Sequence, residues 1–145
     1  MSLSAADWAA ELDGFGAQIE VEVGKFKRDR AIEILRGVVE GNPFGDPASW
    51  QRPPARDYVP GYSAGSWQIT SDENGEAEEV GIRSKQEAIA VGIAAAQEID
   101  FRSKVWIVNP APYIGRLEGG YSPQKPDGWI DAVLARVEAQ AASGS

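Results

Sequence analysis

Gly61-Tyr62-Ser63-Ala64-Gly65 has the G-x-S-x-G spacing in which serine hydrolases raise a nucleophilic serine on a tight strand-to-helix turn. A serine hydroxyl attacks only when a base within hydrogen-bond reach takes its proton. The chain contains no histidine. Prolines precede the motif and a strand-like segment follows it, the reverse of the order this chemistry needs. A histidine triad is therefore excluded within one chain, and the spacing is a chance match. A second group is acidic: Asp72, Glu73, Glu76, Glu78 and Glu79 could attract a divalent cation. Their spacing lacks the glycine and distal glutamate of a calcium loop, so a solvated hairpin tip is the better reading. Cysteine is absent too, which removes disulfides and thiolate metal sites. With no paired carboxylates and no phosphate-cradling loop, the inventory predicts no enzyme, no cofactor and no metal centre.

Composition bounds the remaining classes. A chain of 145 residues with 43% hydrophobic content fits one globular domain with a real core. We place that domain at residues 1–138 and read 139–145, rich in alanine, serine and glycine, as a disordered tail. The net charge of -8 argues against sequence-independent binding to phosphate backbones. No apolar run approaches the roughly 18 residues that a membrane helix needs, and no signal peptide opens the chain. These features predict a soluble protein that acts inside the cell or in something assembled there.

The elements follow from periodicity and punctuation. Ser4-Ala5-Ala6-Asp7 resembles an N-terminal cap, with a short helix carrying Trp8, Leu12 and Phe15 that Gly14 and Gly16 should break. From Ala17 a long amphipathic helix carries Ile19, Val23, Phe26, Ala31, Ile34, Leu35 and Val38, ending at Gly41-Asn42-Pro43. Its apolar stripe slips between Phe26 and Ala31, which predicts a bend or a change of packing partner. Lys25, Lys27, Arg28 and Arg30 form a basic cluster there: a solvated face by the general habit of charge runs, or a contact with an acidic neighbouring subunit. Residues 41–65 read as one large ordered loop, because Phe44, Trp50, Tyr58 and Tyr62 are unusual in a disordered linker. These aromatics pack on their own domain or anchor a partner.

Ser66 to Thr70 alternates as a half-buried strand should, and Asn74-Gly75 signals a two-residue hairpin pairing Ile69 with Val80 and Trp67 with Ile82. Ser84-Lys85-Gln86-Glu87 is a capping box that opens a helix of small residues to about Glu98, suited to lie close against a neighbour. Val105-Trp106-Ile107-Val108 reads as a buried strand, stopped by Asn109-Pro110-Ala111-Pro112. Tyr113 to Glu118 has room for one or two helical turns, and Tyr121 to Gly128 is a proline-pinned loop. A last helix carries Trp129, Ile130, Val133, Leu134 and Val137 on one side. The fold class is α+β: a small, mainly antiparallel sheet packed against a long N-terminal helix and further helices, with large loops.

The stretch from Val105 to Gly128 also resembles a known family. Tailed bacteriophages with long tails encode a small neck protein, the tail-completion or head–tail joining protein, with a strand, an N-x-x-P-Y segment, then L-E-x-G-x-S-x-Q-x-P-x-G. The matching residues are Asn109, Pro112, Tyr113, Leu117, Glu118, Gly120, Ser122, Gln124, Pro126 and Gly128. Trp67 matches, more loosely, the tryptophan of a strand that follows the family's long loop. The chain departs from the pattern at Pro110, Gly119 and Trp129.

The resemblance implies a structural protein of the virion neck, assembled in the bacterial host cytoplasm. It would form a ring, hexameric in the virion and open to being a monomer in solution, between the head-side stopper or connector and the tail terminator or tail tube. It implies no membrane partner and no specific nucleic acid, with phage DNA passing through the ring. Glu118, Gln124 and Arg116 either bond across subunits or fix the loop after Tyr113, with the second favoured. Two other readings stay open: a tail terminator capping the tail tube, and a small peptide- or ligand-binding module.

Overall fold

The computed structural model describes residues 4–42, 61–112, 114 and 128–143. The first helix, α1, spans Ala5–Gly41. Ser4 caps it: the serine hydroxyl accepts the Asp7 N–H at 3.1 Å, and the Asp7 carboxylate accepts the Ser4 N–H at 3.3 Å. Gly14 and Gly16 do not break this helix as expected. Each glycine costs only about 1 kcal/mol relative to alanine, too little to interrupt a helix flanked by alanine, glutamate and leucine.

The slip in the apolar stripe marks the point where the helix passes from an exposed half into the core. From Ser4 to Val23 every residue of the helix except Gly16 is exposed. At Gly24 the helix meets the Asp100–Phe101 backbone, and from Ala31 onward it runs through the core. The basic cluster lies at this transition and is mostly used internally. Lys27 donates to the carbonyls of Phe101 and Ser103 at 2.7 and 2.9 Å, and Arg28 donates to the Ile99 carbonyl at 2.9 Å. Arg30 pairs with Glu33 at 2.8 Å and lies over the Phe26 ring, and Lys25 pairs with Asp29 at the surface.

The other elements gather around the second half of α1. They are α2 (Tyr62–Gly65), β1 (Gln68–Thr70), α3 (Lys85–Ala96), β2 (Trp106–Val108) and α4 (Trp129–Ser143). Ala31, Leu35, Val38 and Val39 of α1 are buried with Ala88 and Ala96 of α3 and with Trp129, Val133 and Val137 of α4. Ser84 caps α3 by accepting the Glu87 N–H at 3.1 Å, as its capping pattern predicts. The buried face of α3 is Ala88, Gly92 and Ala96, so the two backbones approach closely. A Cβ at Gly92 would collide with Leu35 Cδ2, and one at Gly37 with Val133 Cγ1.

The sheet is α+β in the expected sense but is built differently. β1 pairs antiparallel with β2 in a two-stranded sheet, with Ile69 opposite Ile107, and the hairpin partnering Ile69 with Val80 does not form. A turn does form here, but one residue earlier than expected: Glu73 and Asn74 are its central residues, the Gly75 N–H donates to the Asp72 carbonyl at 3.1 Å, and Gly75 follows at φ +63°. That turn folds under the Trp106 ring, which a Cβ on Gly75 would strike. The return segment reaches β1 only through a side chain: Gln68 donates to the Glu78 carbonyl at 2.6 Å and accepts the Glu78 N–H at 3.0 Å. Long-range pairing with an apolar strand has displaced a local pairing with an acidic one. β2 is also less buried than its composition predicts, with Trp106 exposed and Ile107 and Val108 half-buried, because a two-stranded sheet consists of edges.

α4 begins after Gly128, whose φ of +77° belongs to the left-handed region and whose carbonyl accepts the Ala132 N–H at 3.0 Å. It continues to Ser143, through the alanine-rich stretch read from composition as a tail; alanine is the strongest helix former. Most of the long loop lies outside the described residues, as do Tyr113 and the segment from Gly115 to Asp127. Among the described residues no helix is long and apolar enough to cross a membrane.

Substituting Gly92→Ala should destabilise the protein by about 1–3 kcal/mol, because Leu35 is fully buried and has nowhere to move. Gly14→Ala meets no atom within 4 Å and should be neutral or stabilising by up to about 1 kcal/mol. Urea denaturation of the two variants side by side checks both.

Candidate functional site

Four of the residues singled out by the resemblance are described: Trp67, Asn109, Pro112 and Gly128. Tyr113, Leu117, Glu118, Gly120, Ser122, Gln124 and Pro126 lie outside the described residues, as does Arg116. The structure brings Trp67 and Asn109 to one buried polar network centred on Asn42, the residue that closes α1. The Asn42 side-chain amide donates to the Ser63 hydroxyl at 2.9 Å, and its carbonyl oxygen accepts the Trp67 indole N–H at 2.9 Å. Asn109 donates to the Ser63 carbonyl at 2.8 Å, while its own side-chain oxygen accepts the Ala111 N–H at 2.9 Å. Asn109 thus ties the end of β2 to α2, and Asn42 ties both to the end of α1.

Local sequence explains each position. Asn42 lies just past the last turn of α1, where its backbone is extended and its N–H donates back to the Val39 carbonyl at 3.3 Å. Gly61 takes a left-handed conformation with φ 81°, which starts the single turn of α2 and turns Ser63 inward. Lys85, the first residue of α3, donates to the carbonyls of Glu40 and Asn42 at 3.1 Å. Its positive charge therefore stands at the negative end of the α1 dipole. Arg83 donates from Nε to the Gly65 carbonyl and from Nη2 to the Trp67 carbonyl at 3.2 Å. Burial pushes the Arg83 guanidinium below its ordinary value, and nearby Glu87 opposes that shift; an arginine stays charged regardless.

The network also reaches α4. Trp67 and Trp129 meet edge to face, with ring centres 6.4 Å apart and planes at 90°, an arrangement aromatic pairs favour. Gly128 directs the chain so that the next residue, Trp129, arrives on Trp67. Pro112 is exposed and takes no part in the network.

Ser63, at the centre of the G-x-S-x-G spacing, is 2% exposed and bonded to Asn42 rather than presented on a nucleophile turn. Among the described residues no group of carboxylates, histidines or cysteines is placed to hold a metal ion. Among the described residues, two clefts lie away from the four residues of the network. One, of about 420 Å³, lies between β1, the return segment and α3, and is lined by Asp72, Glu76, Glu78 and Arg83 with Ile69 and Val91. The other, of about 280 Å³ and almost wholly apolar, lies beside α1 and β2 and is lined by Phe26, Ala31, Ile34, Val105 and Ile107 with Lys27 and Arg30.

No family model, no curated protein and no solved structure matches the chain. The residues that organise the site were only partly legible. Trp67 and Asn109 stood out by the resemblance, whereas Asn42 read merely as part of a helix stop, and Arg83 carried no signal. A polar residue immediately after a helix end, upstream of a tryptophan, was the one available clue.

Asn42→Ala should lower stability by about 2–4 kcal/mol, because it strands a buried indole N–H and a buried hydroxyl. Thermal melts check the loss, and near-UV circular dichroism should show a changed Trp67–Trp129 signature. A second expectation concerns the turn after α3. The Asp100 carboxylate accepts the N–H groups of Arg102 and Ser103 at 2.8 and 3.1 Å, which with the Ser103 hydroxyl holds it below the usual aspartate range. Its stabilisation is therefore present above the ordinary aspartate pKa and is lost as pH falls through the lower folded value. An NMR titration of this carboxyl should give a midpoint below the ordinary aspartate value.

Proposed function

We propose that this protein is a structural component of a tailed-phage virion, acting at the neck, where the tail is completed and joined to the head. The observation that carries the reading is the set of ten residues between Asn109 and Gly128 that match the tail-completion pattern at fixed spacing. Two described members of the set have shape-setting roles, as such a motif would require. Asn109 pins the end of β2 to α2, and Gly128 supplies the left-handed residue that begins α4. The role is non-catalytic: copies of the chain form a ring between the stopper and the tail tube. The net charge of -8 suits a ring through which DNA passes, since an acidic wall does not hold a phosphate backbone.

Antibody-gold labelling of tailed particles from cells carrying the gene, viewed by electron microscopy, tests this directly. Label confined to the head–tail junction is the expected result. Unlabelled particles, intact or partly disrupted, alongside abundant protein in the lysate would sink the assignment and leave the ligand-binding reading.

A further inference from the structure

The first half of α1 carries an apolar stripe that is exposed among the described residues, with Arg30 lying over the Phe26 ring at its end. Trp8, Leu12, Phe15, Ile19, Val23 and Phe26 recur at steps of three and four residues, which places them on one helical face. They are between 38% and 62% exposed. From Trp8 to Phe26 the stripe is roughly 27 Å long at the rise of an α-helix. Gly14, Gly16, Ile19, Val21 and Val23 lower the intrinsic helix propensity of this half without breaking it. Helices of this length are marginal in water and draw most of their stability from packing of an apolar face.

We propose that this stripe pairs with the same stripe of a second copy of the chain, in antiparallel orientation. Charge selects both the occupant and the direction. Asp7, Glu11, Asp13, Glu20 and Glu22 precede any basic residue on the helix, and Lys25, Lys27, Arg28 and Arg30 then follow with Asp29 alone among them. A parallel pair would set each acidic half against its own copy. An antiparallel pair centred near Ala17 sets Asp7 and Glu11 beside the partner's basic segment and opposes the two helix dipoles. In that register Trp8 meets Phe26 of the partner subunit, and Phe15 meets the partner's Ile19. Each Trp8 then arrives at the mouth of the apolar cleft beside Phe26, where the buried Arg30 Nε has no hydrogen-bond partner.

Area agrees with this pairing. With aromatic side chains burying about 150–250 Å² each, six half-exposed residues leave roughly 500 Å² of apolar surface per copy. Closing stripe on stripe removes about 1,000 Å² before the flanking residues are added, which reaches the lower range of specific interfaces. The pairing does not depend on the neck role.

Sedimentation equilibrium of the full chain over a dilution series is the test. A monomer–dimer equilibrium is expected, weakened at least about tenfold by Phe15→Glu, which puts a carboxylate in the centre of the contact. Ala17→Glu, on the opposite exposed face, should leave it unchanged. Near-UV dichroism from Trp67 and Trp129 confirms that each variant keeps its folded body. The chain has no cysteine, so direction can be read by cross-linking. Leu12→Cys mixed with Val23→Cys should form a disulfide that neither variant forms alone, since only opposed residues come within about 7 Å. A chain monomeric at every concentration overturns the pairing while leaving the neck reading intact. An oligomer indifferent to Phe15→Glu, or a disulfide from Leu12→Cys alone, overturns it as well.

Discussion

Leu35 lies against the bare backbone of Gly92, and the rest of the molecule is arranged around that contact. A helix can approach another this closely only where one presents small residues, and α3 presents Ala88, Gly92 and Ala96 on its buried face. The same helix α1 offers Gly37 to Val133 of α4. The second half of α1 is thereby gripped by two helices, and the two-stranded sheet closes the remaining side. Interiors packed to this density tolerate little change in volume, so these few contacts set where every other element can lie.

Packing alone would leave the ends of the elements loose. The polar network at Asn42 joins them: the close of α1, the turn of α2, the start of β1 and the exit from β2 share Asn42, Ser63, Trp67 and Asn109. Such a buried network is costly if any member goes unsatisfied and specific when all are paired. Arg83 and Lys85 add positive charge to carbonyls that element ends would otherwise leave without partners. In the result Trp67, Asn109 and Gly128 serve shape, in keeping with the assembly role proposed for the protein.

The two halves of α1 divide between a core and a surface. Beyond Gly24 the helix is structural, and before it the helix is a charged rod with one apolar edge. A protein that builds a larger object needs both, a body that does not deform and a surface that is incomplete alone. Lys27 and Arg28, by binding the loop after α3, fasten the helix at the junction between its halves.

Local chemistry was legible in the sequence. The caps at Ser4 and Ser84, the end of α1 at Gly41, the turn around Asn74 and the small face of α3 each depend on residues within a few positions of one another. The missing histidine likewise excluded a triad without reference to any fold. Long-range choices were not legible. Whether β1 pairs with the nearby acidic segment or with the distant Trp106–Val108 is a competition between partners that propensity does not rank, and tertiary structure settled it for the apolar strand. The unbroken passage of α1 through Gly14 and Gly16, and the extension of α4 to Ser143, show the same limit from the helical side. A glycine or a low-complexity tail changes local free energy by about 1 kcal/mol per residue, a bias that the rest of a long helix can override. Asn42 became a hub only because folding brought Ser63, Trp67 and Asn109 together around it, and no spacing along the chain encodes that meeting.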